Sequence, residues 1–229
     1  MFLSKLTLNH RSPAFLRDIA DVHDMHRTVM SGYPDSPPTA TYRHTHGVLW
    51  RIDIHSGGQV IQYVQSHTAP DWANLPEGLL LRPAEVRPLQ PVLDAIKPGK
   101  KFSFRLMANP TRCIHPDGTN RRKHIPLRQP TEHIEWLIAK GEKHGFVIPA
   151  SRQGAPDVTA RKAPKLIGKR SEQRNITIEP VRYDGHLIVT DPDSFTEGLL
   201  VGIGRAKAYG CGLLSLAPAR TPHAVDHAR

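Results

Sequence analysis

The pattern of apolar and polar residues in the first half of the chain predicts a strand, a helical region and a pair of strands. Residues 2–8 have the apolar character of a short strand, and 13–30 have a helical periodicity that can break at Asp21. Apolar runs at 46–54 and 59–66 are separated by Ser-Gly-Gly, which predicts a hairpin. The order of elements in this half is therefore strand, helix, strand, strand.

The second half begins with the same kinds of element. Apolar and polar residues alternate along 101–106, which predicts a strand with one buried face and one basic face. A helix is predicted for 131–144, because Thr131 is a good capping residue and Gly145 a good terminator. The apolar stripe of this helix is predicted to consist of Ile134, Leu137 and Ile138.

The last elements are a hairpin, a helix and a strand. Asp184-Gly185 is a strong signal for a two-residue turn and predicts a hairpin between strands at 176–182 and 186–190. Ser194, followed three residues later by a glutamate, forms a capping box that predicts a helix over 194–203. The apolar run 213–216 reads as the final strand.

The element order β-α-β-β-(α)-β thus occurs twice, on either side of a proline-rich segment at 82–100. This order predicts an α+β fold of two tandem ferredoxin-like domains, the arrangement that RNA-recognition domains share. The predicted domains are 1–92 and 93–220, followed by a disordered tail at 221–229.

Charge and composition narrow the class of partner. The chain has 31 Lys and Arg against 21 Asp and Glu, a formal net charge of +10, which favours a polyanion such as nucleic acid. No apolar run approaches the roughly 20 residues of a membrane span, and the start does not resemble a signal peptide, so a soluble cytoplasmic protein is predicted. Two cysteines, Cys113 and Cys211, indicate neither a disulfide framework nor a cysteine metal site.

The segment 202–218 is the most informative stretch of the chain. It contains four glycines within eleven residues, with Arg205 and Lys207 between them, so its backbone can approach an anion closely. A tight turn with solvated basic residues remains an alternative. Two stretches are polar and strongly basic: 111–128 is predicted to be a loop or hairpin excursion and 152–174 to be a loop, although such charge runs are usually just solvated.

Two histidines stand on one face of the first helical region. His23 and His26 share this face with Leu16, Ile19 and Met30. Taken alone, that pattern favours buried, hydrogen-bonded histidines over catalytic ones.

Several segments together resemble a known family. They are Phe-Leu-Ser-Lys-Leu-Thr-Leu at the start, Asp-Met-His-Arg-Thr ending at Thr28, Phe-Arg-Leu-Met-Ala-Asn-Pro ending at Pro110, the residues around Gly185 and the glycine-rich segment. In this order and spacing they resemble CasE, the repeat-processing endoribonuclease family of type I-E CRISPR systems, within the repeat-associated mysterious protein superfamily. The resemblance covers nearly the whole chain.

The resemblance implies cleavage of a CRISPR precursor transcript at the base of each repeat hairpin, without a metal or other cofactor. Family members use the 2′-hydroxyl beside the scissile bond as nucleophile and leave a cyclic phosphate. His26 aligns with the family's catalytic histidine and is assigned to proton transfer, with Arg27 as a phosphate contact. At least some relatives carry tyrosine in place of His23, so which histidine is acid and which is base stays open.

The resemblance also implies the partners, which are the CRISPR repeat RNA hairpin and the other subunits of the type I-E surveillance complex. The cleaved RNA is expected to stay bound. The residues predicted to bind RNA are Arg27, Arg105, Arg112, Arg121, Arg122, Lys123, Arg161, Lys162, Lys165, Lys169, Arg170, Gly202, Gly204, Arg205, Lys207, Gly210 and Gly212.

Two other functions remain open at this point. A non-catalytic RNA-binding subunit of the same superfamily would keep the basic segments and the glycine-rich segment but would not need His26. A metal-dependent hydrolase is suggested by the 14 histidines, including the pairs His23 with His26 and His44 with His46. A third ligand and a nearby carboxylate cannot be assigned from the sequence. Activity in the presence of a chelator separates this function from metal-free cleavage.

Overall fold

The first half folds into a four-stranded antiparallel sheet. The structure is a computed structural model, and it describes residues 1–35, 45–115, 122–169 and 175–219. The strands of this sheet lie in the order β2-β3-β1-β4, which is the ferredoxin-like order predicted from the sequence. They are β1 (Phe2–Leu8), β2 (Leu49–Ile54), β3 (Val60–Ser66) and β4 (Glu85–Pro88).

Two short helices, α1 (Pro13–Ala20) and α2 (Val22–Met30), cover one face of this sheet. They are separate because Asp21 ends the first and caps the second, accepting a hydrogen bond from the His23 amide at 2.9 Å. The predicted break at Asp21 is therefore confirmed. The core under the helices contains Leu6, Leu8, Phe15, Val22, Met25, Val29, Trp50, Val60 and Val64.

The second half contains nine strands and two longer helices among the described residues. A short helix, α3 (Gln90–Asp94), precedes them, followed by α4 (Pro130–Lys143) and α5 (Pro192–Val201). The strands are β5 (Lys101–Ala108), β6 (Thr111–Ile114), β7 (Lys123–Pro126), β8 (Phe146–Val147), β9 (Val158–Lys162), β10 (Leu166–Lys169), β11 (Asn175–Ile178), β12 (Val181–Val189) and β13 (Leu214–Pro218).

The main sheet of this half has the order β13-β5-β12-β8, and β9 pairs with the other part of β12. This is again the ferredoxin-like order, so the predicted fold class is confirmed. Its inserted strands form two hairpins, β6 with β7 and β10 with β11. Alternate residues of β5 are buried, as the apolar pattern predicts.

The predicted turn at Asp184-Gly185 is wrong. Both residues lie inside the continuous strand β12, opposite Arg105 and Phe104 of β5. A Cβ at Gly185 would lie 2.3 Å from the carbonyl oxygen of Asp157, so this glycine permits the close approach of β9's leading segment. The residue pair that normally favours a turn is present here for close contact between neighbouring strands.

Other corrections concern helix starts and segments predicted to be irregular. Helix α4 begins one residue before the predicted Thr131, because Pro130 suits the first helical position and Glu132 accepts from the amide of Gln129 at 3.0 Å. Helix α5 begins at Pro192 and is capped by Asp191 rather than by Ser194. Ile138 is 38% exposed and does not belong to the core. The segment 152–174, predicted to be a loop, contains β9 and β10.

Some predictions fall on residues outside the described ranges. Arg121, Arg170, His44 and the tail 221–229 are among them. Within the described ranges, no helix combines the length and the apolar character that a bilayer crossing requires. The two cysteines do not pair: Cys113 is exposed, whereas Cys211 is buried and its burial raises the pKa of its thiol to about 12.

Candidate catalytic and nucleic-acid-binding site

Three elements that are far apart in the sequence meet at His23 on α2. The first neighbour is Tyr209, whose hydroxyl lies 3.4 Å from Nδ1 of His23. The two rings meet edge to face, with centroids 5.0 Å apart and an interplanar angle of 86°. The second neighbour is Gly168 of β10, where an added Cβ would lie 2.8 Å from Cδ2 of His23. The site therefore forms where α2, the segment around Tyr209 and the β10–β11 hairpin converge.

Tyr209 is held by the backbone of the segment 202–212, which we call the glycine loop. A 3-10 turn at Lys207–Tyr209 is bounded by two left-handed residues, Ala206 with φ 61° and Gly210 with φ 77°. Trp50 of β2 donates a hydrogen bond from Nε1 to the carbonyl of Ala208 at 3.2 Å. A Cβ at Gly210 would lie 2.9 Å from the Trp50 ring. The loop is thus fastened to the first sheet immediately beside Tyr209.

The other ring nitrogen of His23 has a contrasting environment. Nε2 is buried and has no hydrogen-bond partner among the described residues. An added Cβ at Gly168 would lie 3.0 Å from this nitrogen, so the backbone of β10 covers it. Only a residue without a side chain allows β10 to lie this close to the imidazole.

His26 lies one helical turn after His23 and is half-buried. It lines a shallow cavity of about 300 Å3 with Arg27, Met30 and Ser31. Arg27 is exposed and forms an ion pair with Asp24 on the same helix. The interpretation of this face as a buried apolar one is wrong for Leu16 and Ile19, which are 55% and 52% exposed, but holds for Met30, which is 4% exposed.

The structure separates the predicted RNA-binding residues into groups. Arg161 and Lys162 lie on β9, and Lys165 leads into β10, so this basic segment runs toward His23. All three side chains are exposed. The backbone of Lys169 ends β10. A second group lies on or beside the separate hairpin β6–β7 and comprises Arg112, Arg122 and Lys123.

Arg105 has an electrostatic role between the two sheets. It forms ion pairs with Asp53 of β2 and Asp184 of β12. Burial alone would lower the pKa of Arg105, but hydrogen bonds to these two carboxylates raise it above its usual value. Asp53 also pairs with the buried Arg51, which donates to the Ser215 hydroxyl at 3.0 Å. The charge of Arg105 is therefore already neutralised by two carboxylates. That Arg105 binds RNA stays a prediction.

The glycines of the glycine loop pack against protein side chains. A Cβ at Gly202 would lie 2.7 Å from Leu49, and one at Gly204 would lie 3.1 Å from Trp136. Gly212 lies against the stem of Lys207, while Arg205 is exposed. These contacts require glycine for the packing of the loop. Whether the loop also binds an anion stays a prediction.

The histidines considered as metal ligands have other partners where they are described. His46 is buried, with Nδ1 2.8 Å from the Thr68 hydroxyl and Nε2 3.0 Å from the carbonyl of Pro34. Within the described ranges, no group of three or more His, Cys, Asp or Glu side chains is arranged to hold a metal ion.

Sequence reasoning did not identify Tyr209, Gly168 or Trp50 as parts of this site. Tyr209 lies 186 residues from its partner His23, and Trp50 binds the loop across a similar separation. The position of Tyr209 within the glycine loop was the one local signal of its importance. The other two residues gave no such signal.

Comparison with known proteins gives consistent matches over almost the whole chain. Residues 1–218 match the family described as "CRISPR associated protein". The CRISPR-associated endoribonuclease Cse3 of Thermus thermophilus is 34% identical over 224 residues, which cover 95% of this chain and 100% of the relative. A structure of Cse3 bound to a 19-nucleotide RNA superposes with a TM-score of 0.81 at 33% identity, covering 95% of this chain and 100% of that one. A chain of a CRISPR RNA-guided surveillance complex, in a pre-nicking state, has a TM-score of 0.66 at 26% identity, covering 96% and 100%.

Proposed function

The chain belongs to the CRISPR-associated protein family, as a member of its CasE type, and we propose that it is an endoribonuclease that cuts CRISPR precursor RNA at the base of each repeat hairpin. Its relative Cse3 is named an endoribonuclease, and a Cse3 structure contains bound RNA. The observation in this chain that supports the proposal best is the pair His23 and His26, one helical turn apart beside the glycine loop. Because the substrate is a transcript, we propose that the protein acts in the cytoplasm.

The proposed reaction needs no metal. A base removes the proton of the 2′-hydroxyl, whose oxygen forms a bond to the adjacent phosphorus. The bond from phosphorus to the 5′-oxygen breaks, and an acid protonates that oxygen. The products are a cyclic phosphate and a 5′-hydroxyl. Imidazole suits both proton transfers because its unperturbed pKa lies near working pH.

His26 and His23 are the proposed catalytic pair, and Arg27 is the proposed phosphate contact. His26 lines an open cavity, which supports its access to RNA. Arg27 is 77% exposed, and its pairing with Asp24 is of the kind that solvent weakens, so its guanidinium can turn toward a phosphate. Positive charge there would stabilise the pentavalent phosphorane.

RNA binding is proposed to involve the basic segment from Arg161 to Lys169 and the glycine loop. This segment approaches α2 through β10. An RNA stem bound by the segment would therefore place the foot of the hairpin, where cleavage occurs, next to the histidines. The A-form major groove is deep and narrow, and an inserted hairpin would recognise mainly its shape. We propose that the cut RNA stays bound and enters a surveillance complex, because a related chain is part of one.

Single-turnover cleavage of the repeat hairpin RNA from the same genome tests this proposal. His26→Ala should lower the rate by about 10²- to 10⁴-fold, the usual contribution of a positioned acid or base, while hairpin binding changes by no more than a few fold. His10→Ala is the matched control, because His10 is an exposed histidine in the turn before α1. Wild-type cleavage by the His26 variant would overturn the assignment.

Two substrate and buffer conditions test the chemistry separately. A 2′-deoxy nucleotide just upstream of the scissile phosphate removes the nucleophile, so that RNA should bind normally and resist cleavage. Excess chelator should leave the rate unchanged. Efficient cutting of the deoxy substrate, or loss of activity in chelator, would instead support a metal-activated water. Binding with no cleavage under any condition would identify a non-catalytic RNA-binding subunit.

A further inference from the structure

The two ring nitrogens of His23 differ in their neighbours. Nδ1 faces the hydroxyl of Tyr209 at 3.4 Å. Nε2 is buried against Gly168 and has no hydrogen-bond partner among the described residues. Of the side chains that the structure describes, only Tyr209 is within hydrogen-bonding reach of the ring. One nitrogen therefore faces a polar group, and the other is covered by β10 at Gly168.

This difference decides where the proton of the neutral ring lies. A neutral imidazole carries one proton, on Nδ1 or on Nε2. A proton on Nε2 would create a buried N–H without an acceptor, which proteins avoid more strongly than a buried acceptor without a donor. A tyrosine hydroxyl can accept a hydrogen bond from Nδ1. The surroundings of His23 therefore favour the form with its proton on Nδ1.

Resting on the proposed cleavage reaction, we propose that Tyr209 is a positioning residue that holds the His23 proton on Nδ1 and leaves Nε2 as the base. Nε2 takes the proton of the 2′-hydroxyl as its oxygen bonds to phosphorus. The bond from phosphorus to the 5′-oxygen breaks, and protonated His26 gives its proton to that oxygen. His23 becomes an imidazolium, whose Nδ1–H continues to donate to Tyr209.

The structure supports a positioning role because Tyr209 is itself held firmly. Ala206 and Gly210 bound its turn with left-handed backbone, and Trp50 binds the carbonyl of Ala208. The separation of 3.4 Å is long for a hydrogen bond. Catalytic hydrogen bonds are often long before the substrate binds and shorten in the complex. Gly168 lies against Nε2, so RNA can reach this nitrogen only when β10 moves off the ring.

Other titratable or charged groups also lie on the elements around His23. They are Asp21, Asp24, His26 and Arg27 on or beside α2, Lys207 on the glycine loop, and Lys165 and Lys169 before and at the end of β10. A variant that alters Tyr209 alone leaves all of these in place. A change in the His23 tautomer in that variant is then due to the hydroxyl.

Nitrogen NMR of histidine-labelled protein without RNA tests the tautomer directly. When the His23 ring is neutral, Nδ1 of the wild type should have the shift of a protonated nitrogen and Nε2 that of an unprotonated one. Tyr209→Phe keeps the ring and removes the hydroxyl, so the His23 signals should move toward the opposite tautomer. Wild-type signals showing the proton on Nε2 would overturn the inference without affecting the role of His26.

A double-mutant cycle in the single-turnover rate tests the coupling between the two residues. Tyr209→Phe should slow cleavage by about 5-fold, the effect of one ordinary hydrogen bond. In a His23→Ala background the same change should alter the cleavage rate by less than about 2-fold, because the imidazole that Tyr209 positions is absent. Tyr63→Phe is the control, since Tyr63 lies on β3 with its ring beside Arg51. Equal losses in both backgrounds, or a wild-type rate in His23→Ala, would overturn the inference, and the latter would leave His26 as the proposed catalyst.

Discussion

Replacing Asp53 with alanine should lower the melting temperature by about 6 to 20 °C. Asp53 accepts hydrogen bonds from Arg51 at 2.9 and 3.1 Å and from Arg105 at 3.1 Å. The side chains of Arg51 and Asp53 are each only 3% exposed. Removing one partner of a buried pair costs about 3–5 kcal/mol. For a chain of this length each kcal/mol corresponds to about 2–4 °C.

Circular dichroism during heating at neutral pH measures this effect. The control is Glu85→Ala, because Lys5 and Glu85 are 3.0 Å apart but their side chains are 35% and 40% exposed. Solvent weakens such a pair, so its loss should lower the melting temperature far less. Equal shifts in the two variants would refute the argument that burial makes the Asp53 pair important.

A third variant separates the unpaired charge from lost packing. Adding Arg51→Met to Asp53→Ala removes the buried charge while keeping an unbranched side chain of similar length. Replacing buried ion pairs by apolar residues is often nearly neutral for stability. The double variant should therefore melt at a higher temperature than Asp53→Ala alone. A further fall would mean that the hydrogen bonds of Arg51 to Leu213 and Ser215 stabilise the fold by more than its unpaired charge destabilises it.

Three further results are expected. Burial raises the pKa of the Asp53 carboxyl, but Arg51 and Arg105 outweigh burial and lower this pKa overall. The stabilising effect of Asp53 is thus complete above the unfolded carboxyl pKa of about 3.9 and is lost as pH falls through the lower folded pKa. Acid titration of Asp53→Asn should therefore show a shallower loss of stability than that of the wild type. Gly210→Ala should lower the free energy of unfolding in urea more than Gly58→Ala, because both glycines have nearly the same φ, 77° and 78°, but only a Cβ at Gly210 would meet a neighbour, the Trp50 ring at 2.9 Å. Equal losses would contradict the packing argument. The pH profile of single-turnover cleavage should be bell-shaped between about pH 5 and 8, and His23→Tyr should remove one limb; unchanged limbs would leave His26 as the one titrating catalyst.

Local sequence signals predicted the elements whose structure depends on near neighbours. The break at Asp21 occurs because the Asp21 side chain caps α2 by accepting a hydrogen bond from the amide two residues later. The buried face of β5 follows from simple alternation along the strand. Both are properties of a short segment, so the sequence could identify them.

The errors arose where a distant segment determines the local conformation. Asp184-Gly185 has the composition of a turn, yet the strand continues because the carbonyl of Asp157 lies where a side chain would be. His23 could be selected from the sequence, but its neighbours Tyr209 and Gly168 come from segments more than 140 residues away. Side-chain periodicity along α2 does not contain that information.

The glycine loop acquires a second physical role from these contacts. Gly202 and Gly210 each leave room for one of the adjacent β2 residues, Leu49 and Trp50, so the loop packs against the first sheet at both of its ends. The same loop brings Tyr209 to His23. An RNA backbone bound by the loop would therefore press on a segment that is already in contact with the proposed base. Binding in the second half of the chain and proton transfer in the first half would then be mechanically linked, without any residue of the loop having to enter the reaction.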